Sequence, residues 1–426
     1  MNTIKYKGYY TKIHYNVEDK ILYGKIEGIK DLINFESDNI EDIENQFRLA
    51  VDDYLEMCKY YGKEPDKSYD IIKNNKSELD DLMPIFDNDI PEPIDIETEY
   101  CNCKITPKLR ERFCKDMNLP IKTFDKELFM QRLELCDKQY DCINKYCNFL
   151  KLVNKIGSEQ DYFETYNKLK DDAINYLKDN EKMMYFSKEE DMNKFQVTHK
   201  GFPTKDIYKP TNEGKPFLSF DMKKGNFTAL KHYSPEIFPN CSSYEDFIGN
   251  FTDEDYFKQS KYIRQVIFGN INPRRQTTYE HYLMDKVLDD ALKIFKEEDI
   301  AFFSTDEIVV SLENYNPEEV LDKIKEIVDK NVKEGINIRG EIFDLHKIEG
   351  IPGYIKEYKY LSSGYDIKGV DHIHMPMVMR ELNGEKVQEK DLVFNYDKNL
   401  CVKIINPPEI RIPFLKNKEK YEELEK

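Results

Sequence analysis

Apolar and polar residues change their spacing several times along the chain, and each change marks an element. From Tyr6 to Tyr15 and from Lys20 to Ile26 they alternate as in paired strands, with Asn16-Val17-Glu18-Asp19 as the turn. Ser37-Asp38-Asn39 then caps a helix whose apolar positions Ile40, Ile43, Phe47, Val51, Tyr54, Leu55 and Cys58 keep the helical period. Residues 69–98 are acidic and carry Pro84, Pro91 and Pro93, which reads as a linker. From 99 to 205 the spacing is helical, most clearly over Asp125 to Leu152 and Glu159 to Tyr185.

After Lys209-Pro210 and the Asn212-Glu213-Gly214 turn, short aromatic and β-branched runs return. Pro216 to Phe220, a hairpin around Asp306 and Glu307, and Ile336 to Leu345 read as strands; Asn226 to His232, Ser243 to Asn250, Asp253 to Phe268, Thr277 to Glu298 and Pro317 to Glu334 read as helices. Gly353 to Tyr360, Gly364 to Ile373 and Leu392 to Ile405 are further strands, followed by a charged tail. The expectation is an α+β chain: a small N-terminal α/β unit at 1–68, the linker at 69–98, a helical region at 99–205, a core at 206–348 with an antiparallel sheet backed by helices, and a strand-rich C-terminal region at 349–426.

Chemistry concentrates in the core. Phe217-Leu218-Ser219-Phe220-Asp221 and Phe302-Phe303-Ser304-Thr305-Asp306-Glu307 each carry a strand-like run to an aspartate, so two carboxylates can meet at one sheet edge. Between them Lys261, Arg264 and Phe268 recur at helical spacing and share a face. Two acids facing a basic, aromatic helix suit nucleotidyl transfer, in which the acids hold a pair of Mg2+ (or Mn2+) ions about 3.5–4 Å apart. The cationic side chains would hold the triphosphate and the aromatic ring would stack on the base. Arg274 and Arg275, at the start of the next helix, suit a phosphate or a solvated cap.

These residues resemble the palm and fingers of family A DNA polymerases. Asp221 stands where that family's first motif has its metal-binding aspartate, and Asp306-Glu307-Ile308-Val309 resembles its His-Asp-Glu turn, with Thr305 in place of the histidine. Arg264 and Phe268-Gly269 match the basic residue, aromatic and glycine of the fingers helix, with arginine in place of lysine. The glutamate that crowds a ribose 2'-hydroxyl is here Asn226, with Phe227 as the other crowding candidate. The resemblance implies a palm-like core with Asp221 and Asp306 as metal ligands and Glu307 as a further catalytic carboxylate. It implies Asn226, Phe227, Lys261, Arg264, Phe268, Gly269, Arg274 and Arg275 at a nucleotide, with nucleoside triphosphates and a nucleic acid primer, template or product as partners. Residues 4–67 resemble the HicB antitoxin domain, through Tyr6-Lys7-Gly8-Tyr9, Leu22-Tyr23-Gly24-Lys25-Ile26, Val51-Asp52-Asp53-Tyr54-Leu55 and Gly62-Lys63-Glu64-Pro65. That implies a docking or regulatory unit for a small protein partner. The competing reading is a catalytically inactive protein that captures a small ribonuclease toxin.

Composition narrows the partners. A net charge of -18 argues against wholesale duplex binding, so any nucleic acid contact is local, in a patch of Lys223, Lys224, Lys231, His232, Lys258, Lys261, Arg264, Arg274 and Arg275. No apolar run approaches a membrane span or a signal peptide core, which leads us to expect a cytoplasmic protein without a membrane partner. Nine cysteines at irregular spacing read as reduced thiols. Asp95-Ile96-Glu97 matches an exonuclease triplet but lies in a helical context, and His372 and His374 read as a hydrogen-bonding pair on a strand.

Overall fold

In the computed structural model, the described residues are 4–60 apart from 18, 19, 28, 30 and 32, then 63 and 65, then 95–415 apart from 398 and 399. The expected linker at 69–98, except its last four residues, and the charged tail from 416 lie outside them.

In chain order, strands β1 (Ile4–Tyr6), β2 (Tyr9–Thr11), β3 (His14–Asn16), β4 (Ile21–Lys25) and β5 (Asn34–Ser37) precede helix α1 (Ile40–Tyr60). Helices α2 (Ile96–Tyr100), α3 (Pro107–Asp116), α4 (Lys126–Tyr140), α5 (Cys142–Ile156), α6 (Glu159–Asp179) and α7 (Glu181–Lys188) follow. Then come β6 (Lys215–Met222), α8 (Gly225–Tyr233), α9 (Tyr244–Gly249), α10 (Asp255–Gln259), α11 (Lys261–Gly269) and α12 (Pro273–Ala291). The chain continues with β7 (Ile300–Phe303), β8 (Glu307–Ser311), α13 (Pro317–Lys333), β9 (Ile338–Lys347), β10 (Tyr354–Lys359), β11 (Tyr365–Lys368), α14 (Met375–Leu382), β12 (Val393–Asp397) and β13 (Leu400–Ile404). This is a mixed α/β protein with several sheets.

The described residues form two compact units. The first gathers residues 1–99, 120–136 and 371–411. Its five-stranded sheet has the order β12-β13-β3-β4-β5, with β13 parallel to β3 and the other neighbours antiparallel. The helical spacing seen in the sequence puts Ile43, Phe47, Val51, Tyr54 and Cys58 on one face of α1, and all five are buried against Tyr9, Leu22, Phe35, Val402 and Ile404. Each large apolar side chain buried there contributes about 1.5–3 kcal/mol. Residues 120–136 join this unit through Arg132, which bonds the Asp391 carboxylate at 3.2 Å and the carbonyls of Lys390 and Val393.

The second unit gathers residues 100–119, 137–370 and 412–426. Its sheet is antiparallel throughout, in the order β11-β10-β9-β6-β8-β7. Strand β6 is covered on both sides: Phe217, Leu218, Ser219 and Phe220 are all buried, so alternation divides them between two faces. One face carries Leu218, Phe220 and Met222 and receives α13. That packing is close because residue 340 is a glycine, whose added Cβ would stand 2.8 Å from the Ile324 side chain. The other face carries Phe217, Ser219 and Asp221.

Several expected elements are divided or moved. Ser260 breaks the helix expected over Asp253 to Phe268 into α10 and α11, because its backbone is extended and its hydroxyl accepts the Ile263 N–H as an N-cap. Asp141, at φ 50°, divides Asp125 to Leu152, and Asn180 caps α7 after α6 ends. Helix α12 ends at Ala291 rather than Glu298. The C-terminal strands divide between two sheets: β10 and β11 extend the six-stranded one, β12 and β13 the five-stranded one. His372 and His374 lie in the turn leading into α14, not on a strand, so strand alternation does not align them. Asp95 to Glu97 start α2, and Asp95 pairs with Lys126 at 2.6 Å. Cys58, Cys101, Cys114, Cys136, Cys142 and Cys241 are buried, and Cys103 and Cys147 are half-buried. Among the described residues no helix is long and apolar enough to cross a membrane.

Candidate active site

Antiparallel pairing in the second unit puts the acids of the core side by side. Asp221 near the end of β6 is the register partner of Glu307 on one flank and of Arg339 on the other, and the Met222 N–H donates to the Asp306 carbonyl at 2.8 Å. The hairpin between β7 and β8 is thus fastened to the end of β6, and residues eighty-odd positions apart become neighbours. The β7–β8 turn is held by Ser304, whose hydroxyl donates to Asp306 Oδ1 at 3.2 Å and accepts the Glu307 N–H at the same distance. Asp306 is exposed at its tip.

Cations answer these carboxylates only in part. Arg339 Nε donates to Asp221 Oδ2 at 2.9 Å, and its Nη1 lies 3.1 Å from Glu341. Glu307 accepts from the Ser219 hydroxyl at 2.7 Å and from Lys356 Nζ at 3.2 Å. Asp366 on β11 is the register partner of Lys356 and pairs with Lys368 at 2.7 Å. Burial raises the pKa of Asp221; Arg339 opposes this, while Glu307 and Asp306 add to it as like charges. Glu341 is raised for the same reasons, burial first, with Asp221 and Asp366 adding to it and Arg339 and Lys356 opposing. Asp221, Glu307, Glu341 and Asp366 thus gather here with Arg339, Lys356 and Lys368.

Helix α11 supplies the basic side. Burial lowers the pKa of Lys261, with Arg264 and Lys368 adding to the effect and the carboxylates of Asp366 and Asp221 opposing it. Lys261 therefore belongs to the same electrostatic neighbourhood as Asp221. Arg264 lies over the Tyr244 ring at 5.6 Å, and burial also lowers its pKa. Phe268, expected to stack on a base, is 1% exposed and packs against Phe238 and Tyr244, so its ring belongs to the core. Phe227 is likewise buried, against Phe238 and Tyr244, and offers no surface to a sugar. Gly269 is exposed at the helix end, with open space around it.

The expected basic patch is largely spent on the fold. Arg275 donates to the carbonyls of Phe186 and Glu190 at 3.0 and 2.7 Å, which holds the end of α7 and removes the residue from any phosphate. Arg274 is exposed. Lys224 pairs with Glu245, Lys258 with Asp255 at 3.0 Å, and His232 Nδ1 lies 2.9 Å from the Tyr279 hydroxyl.

Other residues of the site carry no motif in the sequence. Glu280 of α12 is buried, accepts from the Asn226 amide at 2.9 Å, and rests where a Cβ on Gly225 would come within 3.4 Å of its carboxyl carbon. Burial and the nearby Asp306 push its pKa up to about 7. Beneath α11, Asp116 is fully buried and accepts from the hydroxyls of Ser260 at 2.7 Å, Tyr256 at 3.1 Å and Tyr162 at 3.3 Å. Burial raises its pKa to about 6 against the pull of those donors and of Arg112. This carboxyl ties α3, α6 and α10 to the residue that caps α11, and so sets where Lys261 starts. Arg339 and Glu341 are legible in the sequence only as charges alternating along an expected strand.

The oxygen donors of Asp221, Asp306, Glu307 and Glu341 suit a hard divalent cation. Their ligand atoms do not gather within 4.8 Å as a group of three; among the described residues that spacing is reached by Asp344, His346 and Glu357. Compared with protein-family models, curated proteins and solved structures, the chain matches none.

Proposed function

We propose that this chain is a metal-dependent nucleotidyltransferase that adds nucleotides to a 3'-hydroxyl in the manner of a DNA polymerase. What supports the reading best is the crowding of Asp221, Asp306 and Glu307 at adjoining strand ends, within the electrostatic reach of Lys261 on α11. Asp221 and Asp306 would hold Mg2+ or Mn2+, which when bound supplies activation of the attacking hydroxyl and charge neutralisation at the triphosphate. Lys261 and Arg264 bind and orient the phosphates, with Asn226 at the sugar. Ser219 and Lys356 hold Glu307 in its rotamer through the bonds they already make. Arg339 holds the Asp221 carboxylate in place through the bond it already makes. Residues 4–67, within the first unit, would serve as a HicB-like docking or regulatory module for a small protein partner.

Purified protein given Mn2+ or Mg2+, all eight ribo- and deoxynucleoside triphosphates and a primed template is expected to extend the primer, and Asp221→Asn is expected not to. No polymer under any of these conditions would overturn the reading.

One observation favours the second reading, a catalytically inactive binding protein. The carboxylates of Asp221 and Glu307 both sit in ion pairs, with Arg339 and Lys356, as in a purely structural network. A small basic ribonuclease co-purifying with the chain, together with no effect of divalent ions on stability, would decide for it.

A further inference from the structure

We propose that Asp344, His346 and Glu357 form a second metal site, for a divalent first-row transition ion of the Zn2+ type, on the opposite face of the six-stranded sheet from Asp221. Opposite placement follows from alternation along β9: Arg339 faces Asp221, and Asp344 and His346 stand an odd number of residues further on. Glu357 is the register partner of Asp344 across β9 and β10, and His346 is two residues beyond Asp344, so all three project from one face.

One ligand atom from each residue lies within 4.8 Å of the others. His346 Nε2 and Glu357 Oε2 are 3.2 Å apart, close to the spacing of about 3.4 Å between two ligands on an ion held at about 2.1 Å. His346 and Glu357 are buried, and both strands are interior to the sheet, so the donors are held on rigid elements.

The groups around the imidazole point the same way. His346 Nδ1 lies 3.4 Å from Glu213 Oε1, and Glu213 is itself fixed by the Lys347 N–H. The Phe414 ring stacks on the imidazole, with centroids 4.0 Å apart and planes 17° from parallel. A carboxylate on one ring nitrogen is the usual device for fixing the tautomer of a metal-binding histidine. With the proton on Nδ1, Nε2 turns a lone pair toward the Glu357 carboxylate, an arrangement of two acceptors that calls for a cation between them. Lys359 Nζ, at 2.9 Å from Glu357 and 3.7 Å from Asp344, already brings one positive charge to these carboxylates. Imidazole beside carboxylates suits ions of the Zn2+ kind better than Mg2+ or Ca2+, and three protein ligands leave a position for water.

The test uses the full chain stripped with EDTA and titrated with Zn2+ by calorimetry, and with Co2+ for its visible spectrum. The wild type is expected to bind one equivalent at this site, with a raised Tm and a Co2+ absorption of low coordination number. His346→Ala and the volume-conserving Asp344→Asn are each expected to lose that equivalent, and Glu213→Gln to weaken it about 10- to 100-fold. Asp221→Asn is expected to retain it, which separates this site from the acids on the other face. The proposal is overturned if the wild type takes up no Zn2+, or if Asp344→Asn and His346→Ala bind with unchanged stoichiometry and spectrum. The trio is then a structural hydrogen-bonded and ion-paired cluster.

Discussion

Two clusters in the second unit raise a carboxyl pKa, and they do so for different ends. Asp116 is a single carboxyl surrounded by neutral hydroxyl donors from Ser260, Tyr256 and Tyr162, at 2.7, 3.1 and 3.3 Å. Asp221 has one firm partner, Arg339, and is surrounded by other acids. In the first cluster burial alone disfavours the charge, and the donors that remain build a joint between helices. In the second, carboxylates crowd one another at a strand end, an arrangement stable only when a cation is near. A raised pKa therefore does not by itself mark a reactive group; what surrounds the carboxyl separates the two clusters.

The sharpest way to break this contrast is Asp221→Asn. Primer extension is expected to fall by at least about 100-fold, in line with removal of a group acting on developing charge, while the urea midpoint stays put or rises as a like charge disappears. A loss of stability as large as that of an Asp116 variant would make the two clusters the same kind of object. Asp116→Ala is next, with a loss of about 3 kcal/mol in urea unfolding because buried hydroxyl donors lose their acceptor.

Dependence on pH sharpens the contrast further. Both Asp116, at about 6, and Glu280, at about 7, have folded values above their ordinary ones of 3.8 and 4.5. The native state therefore holds their protons more tightly. The stability they contribute is full below about pH 4 and is lost as pH rises through 6 for Asp116 and through 7 for Glu280. Asp116→Asn is expected to flatten unfolding free energy between about pH 4 and 6, and Glu280→Gln between about pH 4.5 and 7, each followed by urea titration at stepped pH. Ser260→Ala is expected to lose about 2 kcal/mol, for the cap and for its bond to Asp116 together, with the triphosphate KM rising more than kcat falls because α11 no longer starts firmly at Lys261.

Much of the local structure was legible. The buried stripe of α1 follows directly from the spacing of Ile43, Phe47, Val51, Tyr54 and Cys58, and β6 and the hairpin at Asp306 from their runs of aromatic and β-branched residues. Phe268 shows where legibility stopped. Helical spacing puts it near the face of Lys261 and Arg264, but nothing in spacing distinguishes a ring offered to a ligand from one buried against Phe238 and Tyr244. Arg275 looked like a phosphate ligand for the same reason, and the carbonyls of α7 took it instead.

By itself the amino-acid order determined which residues turn inward in each helix and strand, because periodicity is a local property of the backbone. Only the tertiary structure decided what they meet. Arg339 reaches Asp221 across 118 positions, Ser260 reaches Asp116 across 144, and the C-terminal strands divide between two sheets. Register between distant strands and the packing of one helix on another set those meetings, and neither leaves a period in the chain.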